Sequence, residues 1–316
     1  MVTERADPPA VAIPAWVTAA LGARLSDVAR LPWGFTNETW AATAPTGERF
    51  AVTRMRSGGA AAFVVGRGPA IARRLAAAGL DVPIPDVPRS LRAKRVVVSS
   101  WIEGTPAMLR LDGPAGAEAV GRAAALAWRR LADVDATGLA LDVTWARPEA
   151  LASAASAWLE TVRSETSSTT AAVVERLIET TRPTSPAARA SIPTAFVHGD
   201  LVPANVLLRD TGVALLDLES ARMGDPLLDA AWFRWIVAYH HPALAPAAWG
   251  GFAVAAGLAD LSGSQEARLA AYPVLRILEI LATAGLQPLP RRRWLAQLDA
   301  ATALAEPGST LARNPG

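Results

Sequence analysis

The sequence predicts an α+β fold in two lobes, an antiparallel-sheet small lobe over residues 1–102 and a mostly helical large lobe over residues 103–316. Three observations carry this reading. Short apolar runs separated by turn residues fill the small lobe, whereas apolar residues at helical spacing dominate from Ala115 onward. Within the helical part, Phe196 to Ser220 alternates strand-like apolar runs with bursts of polar and charged side chains.

After a Pro-rich leader, Ala15 to Leu21 have the pattern of a short helix. Leu31 to Thr43, a loop containing Gly34 that leads into a strand, and the strand Arg49 to Met55 lie on either side of the turn Pro45 to Glu48. Gly66, Gly68 and Pro69 predict a helix that starts late, with Pro69 at its first position, where its missing N–H costs no hydrogen bond. Asp86 to Ser90 and Arg95 to Ser99 form a hairpin that completes a five-stranded sheet, with Lys94, the only lysine in the chain, in its turn. Ser100 to Gly104 then connects to the large lobe. Ala115 to Val134 is helical, and Pro148 to Thr181 is a long helical region broken between Ser164 and Thr170. Leu227 to Tyr239, Pro246 to Ala259, Gln265 to Leu286 and Arg291 to Leu304 predict four more helices, followed by a polar tail expected to be disordered.

The chemistry concentrates in the stretch FVHGDLVPANVLLRDTGVALLDLES. Asp200 and Asn205 are separated by four residues, and Asp217 follows the apolar run Val213 to Leu216, which predicts three oxygen-bearing side chains at the ends of neighbouring strands. Phosphoryl transfer needs such a set. The migrating phosphoryl group carries spread negative charge, so one carboxylate must orient and accept the proton of the attacking hydroxyl, and oxygen ligands must hold Mg²⁺ against the phosphates. An Asp, four residues, an Asn and a later Asp is the order found in protein kinases, with Gly199 standing where those enzymes carry Arg.

The pattern H-G-D-x-x-x-x-N, followed by a buried strand and Leu216-Asp217-Leu218-Glu219, resembles the aminoglycoside phosphotransferase family of small-molecule kinases, whose members share the protein-kinase-like fold. The resemblance covers about residues 30 to 240 and implies roles residue by residue. Asp200 becomes the catalytic base, Asn205 and Asp217 the Mg²⁺ ligands, and His198 a support for the loop. Gly224-Asp225-Pro226 and Asp229 match the family's G-D-P-x-x-D segment, where the last Asp opens a helix and braces the catalytic loop; Asp225 and Asp229 are read as structural. Gly34, Thr36 and Asn37 match the family's loop over the nucleotide phosphates. Arg54 stands where the fold places a phosphate-gripping Lys, while Ser100 and Ile102 match the hinge whose backbone takes the base of ATP or GTP. One departure is plain: the family's helix Glu has no counterpart, because no acid occurs between Glu48 and Asp81 and Gly68 lies near its place. Either another acceptor orients Arg54, or backbone and metal grip the nucleotide.

Composition sets the remaining bounds. At 316 residues and 51% hydrophobic content the chain can bury a large core, and it holds no cysteine for disulfides or thiolate metal sites. The net charge of +2 divides unevenly: residues 1–104 carry 13 basic and 8 acidic side chains, the rest 18 and 21. A basic small half suits an anionic nucleotide. No apolar run reaches the roughly 18 residues of a membrane span. Glu4, Asp7 and the early prolines oppose an export signal, so a cytoplasmic location is expected. No basic run is interleaved with stacking aromatics, which excludes a nucleic-acid surface from the reading.

The sequence thus predicts Mg²⁺-dependent transfer of the γ-phosphate of ATP or GTP to a hydroxyl of an antibiotic or related natural product. The alternatives are a choline, homoserine or sugar kinase of the same fold, or a nucleotide-binding pseudoenzyme. Trp232, Trp235 and Tyr239 share one helical face, read as core before ligand wall. From Leu227 to Leu304, Asp229, Asp260, Glu266, Glu279 and Asp299 face Arg234, Arg268, Arg276 and Arg291 to Arg293. That balance does not make the acidic trap a polycation needs, so a weakly charged or anionic acceptor, nucleoside-like or macrolide-like, is expected.

Overall fold

The computed structural model describes residues 13–22, 24–31, 37–55, 58–183 and 185–305. The chain divides into two units, Met1–Ala70 with Pro83–Ile102, and Ile71–Val82 with Glu103–Gly316.

The first unit contains helix α1 (Ala15–Leu21), strands β1 (Ser26–Arg30), β2 (Glu38–Thr43) and β3 (Arg49–Arg54), the start of helix α2 (Gly58–Ala77), and strands β4 (Pro85–Leu91) and β5 (Val96–Ser100). Its strands form one antiparallel sheet in the order β1-β2-β3-β5-β4. Strand periodicity explains why it packs on both faces. Trp40, Ala42, Phe50, Val52, Val96 and Val98 join Val17 and Leu21 of α1, whereas Val97 points the other way, to Met55 and to Ala61 and Val65 of α2.

Helix α2 corrects the expected late start. It begins at Gly58 and carries Pro69 in its interior. The run Ala60 to Ala62 favours helix strongly enough to outweigh the bond that Pro69 cannot donate, and Val65 is buried against the sheet. Gly68 has its own reason: a Cβ there would meet Pro85 Cγ at 2.8 Å, so close packing on β4 leaves no room for the acid its position would otherwise take.

The second unit runs through β6 (Thr105–Pro106), α3 (Pro114–Ala132), α4 (Pro148–Val162), α5 (Ser168–Thr180), α6 (Pro186–Ala190), β7 (Ala195–Val197), β8 (Val206–Arg209), β9 (Gly212–Leu215), β10 (Arg222–Gly224), α7 (Leu227–His240), α8 (Ala245–Ala256), α9 (Gly263–Thr283) and α10 (Pro288–Ala305). The predicted break after α4 is real. A short 3₁₀ turn follows, and Ser167 caps α5 by accepting the Thr170 N–H at 3.0 Å. Helix α9 opens on a reciprocal cap between Ser262 and Gln265 and packs against α4, α5, α7 and α10. Helices α3 and α8 approach so closely that a Cβ on Gly121 would strike the Ala248 carbonyl, and one on Gly251 the Glu118 carbonyl.

Two small sheets carry the polar stretch. Strand β8 pairs with β6 and β9, and β7 pairs with β10, so Asn205 and Asp217 flank one hairpin while Asp200 follows a strand of the other sheet. The leader up to residue 12, Gly34 and Thr36 of the expected phosphate loop, and the tail from residue 306 lie outside the described residues. Among the described residues no helix is long and apolar enough to cross a membrane.

Candidate active site

Strand β7 delivers a fully buried His198, and that imidazole joins the two small sheets. Its Nε2 lies 2.8 Å from the Leu216 carbonyl oxygen and its Nδ1 3.3 Å from the Asp200 backbone nitrogen. Those partners fix the tautomer: Nε2–H donates to Leu216, and Nδ1 accepts from Asp200. From the other side, Asp229 in the first turn of α7 accepts the His198 N–H at 2.7 Å and the Gly199 N–H at 2.8 Å. Burial raises the Asp229 carboxyl above its ordinary value, while His198 and the two backbone donors oppose the shift. Gly199 has φ +76°, and a Cβ there would strike the Ser220 carbonyl. No side chain fits this turn, which explains the glycine.

Asp200, half-buried, projects from the pinned loop. Its Oδ2 accepts from Asn205 Nδ2 at 3.0 Å, and the same nitrogen donates to the Asp200 carbonyl at 2.9 Å. The amide nitrogen of Asn205 is therefore committed to the loop, and its oxygen is the atom left for a cation. The Leu216 N–H donates to the Asn205 backbone at 2.8 Å, which sets Asp217 beside this group at the open end of the β8–β9 hairpin. Asp217 sits in the left-handed region at φ 57°, a conformation Asp tolerates better than most side chains.

Asp217 is solvent-exposed at its surface, yet protein crowds its carboxyl. Desolvation first, then the negative charges of Glu219 and Asp200, push it up to about 8. A cation held by Asp217 and the Asn205 oxygen would oppose this shift by favouring the charged carboxylate. Among the described residues no three acids or histidines form a ready metal cage. Mg²⁺ does not require one, because it commonly binds one or two protein oxygens together with phosphates and water.

Around this group lies a layer of buried ion pairs that the sequence did not disclose. Asp225 accepts from Arg268 Nε at 2.8 Å, from the Tyr272 hydroxyl at 2.7 Å and from the Leu227 N–H at 3.0 Å, which fastens the start of α7 to α9. Glu279 accepts from Arg222 at 2.6 Å and from Arg276 at 2.5 Å. The two arginines also bond Ser220, at its carbonyl and hydroxyl. Burial would raise the Glu279 carboxyl, but Arg276 and Arg222 outweigh it and hold the group below its ordinary value. Trp232 was likewise missed as a site residue. It is buried as the core reading expected, but its Nε1 donates to Asp200 Oδ1 at 2.8 Å. The available signal was its spacing three residues beyond Asp229, which turns both side chains toward the loop that carries Asp200.

The remaining predicted residues lie in the first unit. Arg54 ends β3, exposed, and Glu38 stands opposite it on β2. That carboxylate is engaged by Trp40 Nε1 at 3.2 Å and Arg30 Nε at 3.8 Å. Asn37 directly precedes β2. Ser100 is tied to Ile84 twice, its N–H donating to the Ile84 carbonyl and its hydroxyl accepting the Ile84 N–H, both at 2.9 Å. Ile102 follows β5, partly exposed.

Residues 27–272 match the family model of the phosphotransferase enzyme family. None of the curated proteins matches the chain by sequence. Among solved structures, the GDP complex of aminoglycoside 2′-phosphotransferase-IIIa is similar with a TM-score of 0.68 at 16% identity, covering 91% of this chain and 97% of its own. The thermostable mutant of aminoglycoside phosphotransferase APH(4)-Ia gives 0.62 at 18% identity, covering 92% and 99%. A macrolide 2′-phosphotransferase from Brachybacterium faecium gives 0.55 at 18% identity, covering 93% and 96%. These likenesses establish the two-lobed, protein-kinase-like α+β fold.

Proposed function

The chain belongs to the phosphotransferase enzyme family, and from that premise we propose that it transfers the γ-phosphate of ATP or GTP, with Mg²⁺, to a hydroxyl of an antibiotic or related natural product in the cytoplasm. One observation carries the reading. Asp200 is held on a loop that His198 and Asp229 pin from two sides, with Asn205 bonded to it and Asp217 on the adjoining hairpin.

In this mechanism Asp200 orients the acceptor hydroxyl and takes its proton. Asn205, through its amide oxygen, and Asp217 hold Mg²⁺, which supplies charge neutralisation to the phosphates when bound. Asn37, Arg54, Ser100 and Ile102, with Gly34 and Thr36, are assigned to the nucleotide. With the Ser100 N–H engaged by Ile84, its carbonyl and the Ile102 backbone are the groups offered to the base. Residues 1–102 and 103–316 are proposed as the nucleotide-binding and the catalytic, acceptor-binding lobes.

The similar structures are named for aminoglycoside and macrolide substrates. For this chain we favour a weakly charged or anionic acceptor with apolar surface, such as a nucleoside or macrolide antibiotic. Glu279 is consumed by two arginines, and Asp299 accepts from the Thr170 hydroxyl at 2.7 Å. On α4 and α5, Glu149, Glu160, Glu175 and Glu179 are each paired with an arginine. These carboxylates are poor candidates to receive a buried ammonium.

The test is nucleotide turnover against a panel of macrolides, nucleosides, aminoglycosides and amino alcohols, in the parent and in Asp200→Asn. We expect transfer to an uncharged or weakly charged acceptor, a fall in kcat on the order of a thousandfold or more in the variant, and little change in nucleotide affinity. Near-normal turnover by Asp200→Asn removes the mechanism. A preference for kanamycin-like substrates, with KM rising steeply with salt, removes the acceptor assignment.

A further inference from the structure

The geometry points to Trp232 as a positioning residue for phosphoryl transfer, one that fixes the plane of the Asp200 carboxylate through its indole N–H. The inference rests on the reading of Asp200 as the base. Its physical ground is the pairing of Trp232 Nε1–H with Asp200 Oδ1 at 2.8 Å, while Asn205 Nδ2 holds Oδ2 at 3.0 Å. A carboxylate held by one donor swings about its terminal torsion, which is broad and soft. Held at both oxygens, it presents its remaining lone pairs in one direction, and the orientation of a base toward its hydroxyl is worth a large part of the rate.

Trp232 is built for the task. It lies in α7, whose Asp229 already grips the His198 and Gly199 backbone, so one helix holds the loop at its main chain and at its reactive side chain. The indole is buried and its ring stacks on Trp294 of α10, with centroids 6.3 Å apart and planes 15° from parallel. Ring orientation, and with it the direction of the N–H, is set by packing. Pairing of a buried indole is not automatic in this protein. Among the described residues, the Nε1 atoms of Trp101, Trp145 and Trp235 are buried with no hydrogen-bond partner, and Trp235 is one turn further along the same helix. The bond at Trp232 is thus particular to Asp200, and a donor to an ionised carboxylate is among the stronger hydrogen bonds a protein makes.

The test compares Trp232→Phe with Trp249→Phe, which removes an indole of similar burial on α8, away from the catalytic loop. With the nucleotide and the best acceptor of the panel, Trp232→Phe should lower kcat by roughly tenfold to a hundredfold with nucleotide KM unchanged, and Trp249→Phe should leave both at parental values. Should Trp232→Phe not fold, the indole N–H resonances of the parent and of Asp200→Ala decide: one of the eleven indoles should shift markedly when the carboxylate is removed. Parental kcat in Trp232→Phe, or an indole spectrum indifferent to Asp200→Ala, overturns the inference. Turnover that survives Asp200→Asn removes the assignment of the base instead, so the two failures are told apart.

Discussion

Arg222 donates to Glu279 at 2.6 Å across 57 residues of sequence and so anchors the segment that follows Asp217 to helix α9. The side chains are 9% and 12% exposed, and Arg276 completes the cluster. Removing the acid leaves two buried guanidinium groups without their carboxylate. Glu279→Ala should therefore cost about 3–5 kcal/mol, read by denaturant unfolding.

The same cluster sets an acid limit on stability. Because the folded Glu279 carboxyl is held below its unfolded value, its contribution is present in full above the ordinary Glu range, about pH 4 to 5, and is lost as pH falls through the lower folded value. The stability gap between the parent and Glu279→Gln should narrow on acidification below that range. A gap that stays constant down to pH 3 would show that the folded Glu279 carboxyl is not held below its ordinary value.

Metal binding distinguishes two neighbouring acids. Asp217→Ala should abolish the Mg²⁺ dependence of nucleotide binding, whereas Glu219→Ala should weaken it mildly. Titrations of nucleotide with and without Mg²⁺ check this. An Asp217→Ala variant whose Mg²⁺ response equals the parent's would contradict the assignment.

Arg54 faces Glu38 across β2 and β3, yet that carboxylate is shared with Arg30 and Trp40. If Arg54 serves the nucleotide by long-range charge, as proposed, Arg54→Lys should keep the nucleotide KM and Arg54→Ala should raise it. If Lys is as damaging as Ala, a forked guanidinium contact is required.

Gly199→Ala asks for a left-handed alanine whose Cβ meets the Ser220 carbonyl. The backbone cost alone is about 1–2 kcal/mol, and the clash displaces the loop that carries Asp200. Both the melting temperature and kcat should fall; a variant active at the parental rate would show that the loop tolerates displacement.

What could be read in advance divides by range. The set of Asp200, Asn205 and Asp217 is visible because its spacing is local, and α3, α4, α5 and α7 to α10 follow from periodicity within each segment, whereas the five-residue α6 is too short to show one. The start of α2 was misread because two local rules conflict there: proline favours a first turn, while the alanine run favours helix from the outset. The partners of Arg222 and Arg268 could not be read at all. They depend on which turn of α9, or which loop, tertiary packing brings alongside, and no short-range pattern encodes that.

The close contact of α3 and α8 has a bearing on how this protein could be made hardier. Helical glycines here fall into two kinds. At Gly121 and Gly251 a methyl group would be driven into the neighbouring helix's backbone, whereas at Gly66 and Gly250 a Cβ would meet nothing within 4 Å. Alanine at the two open positions should add roughly 0.4–1 kcal/mol each by restricting the unfolded chain. The same replacement at the two closed ones would pry the helices apart. A campaign for heat resistance that swaps glycines indiscriminately would cancel its own gains.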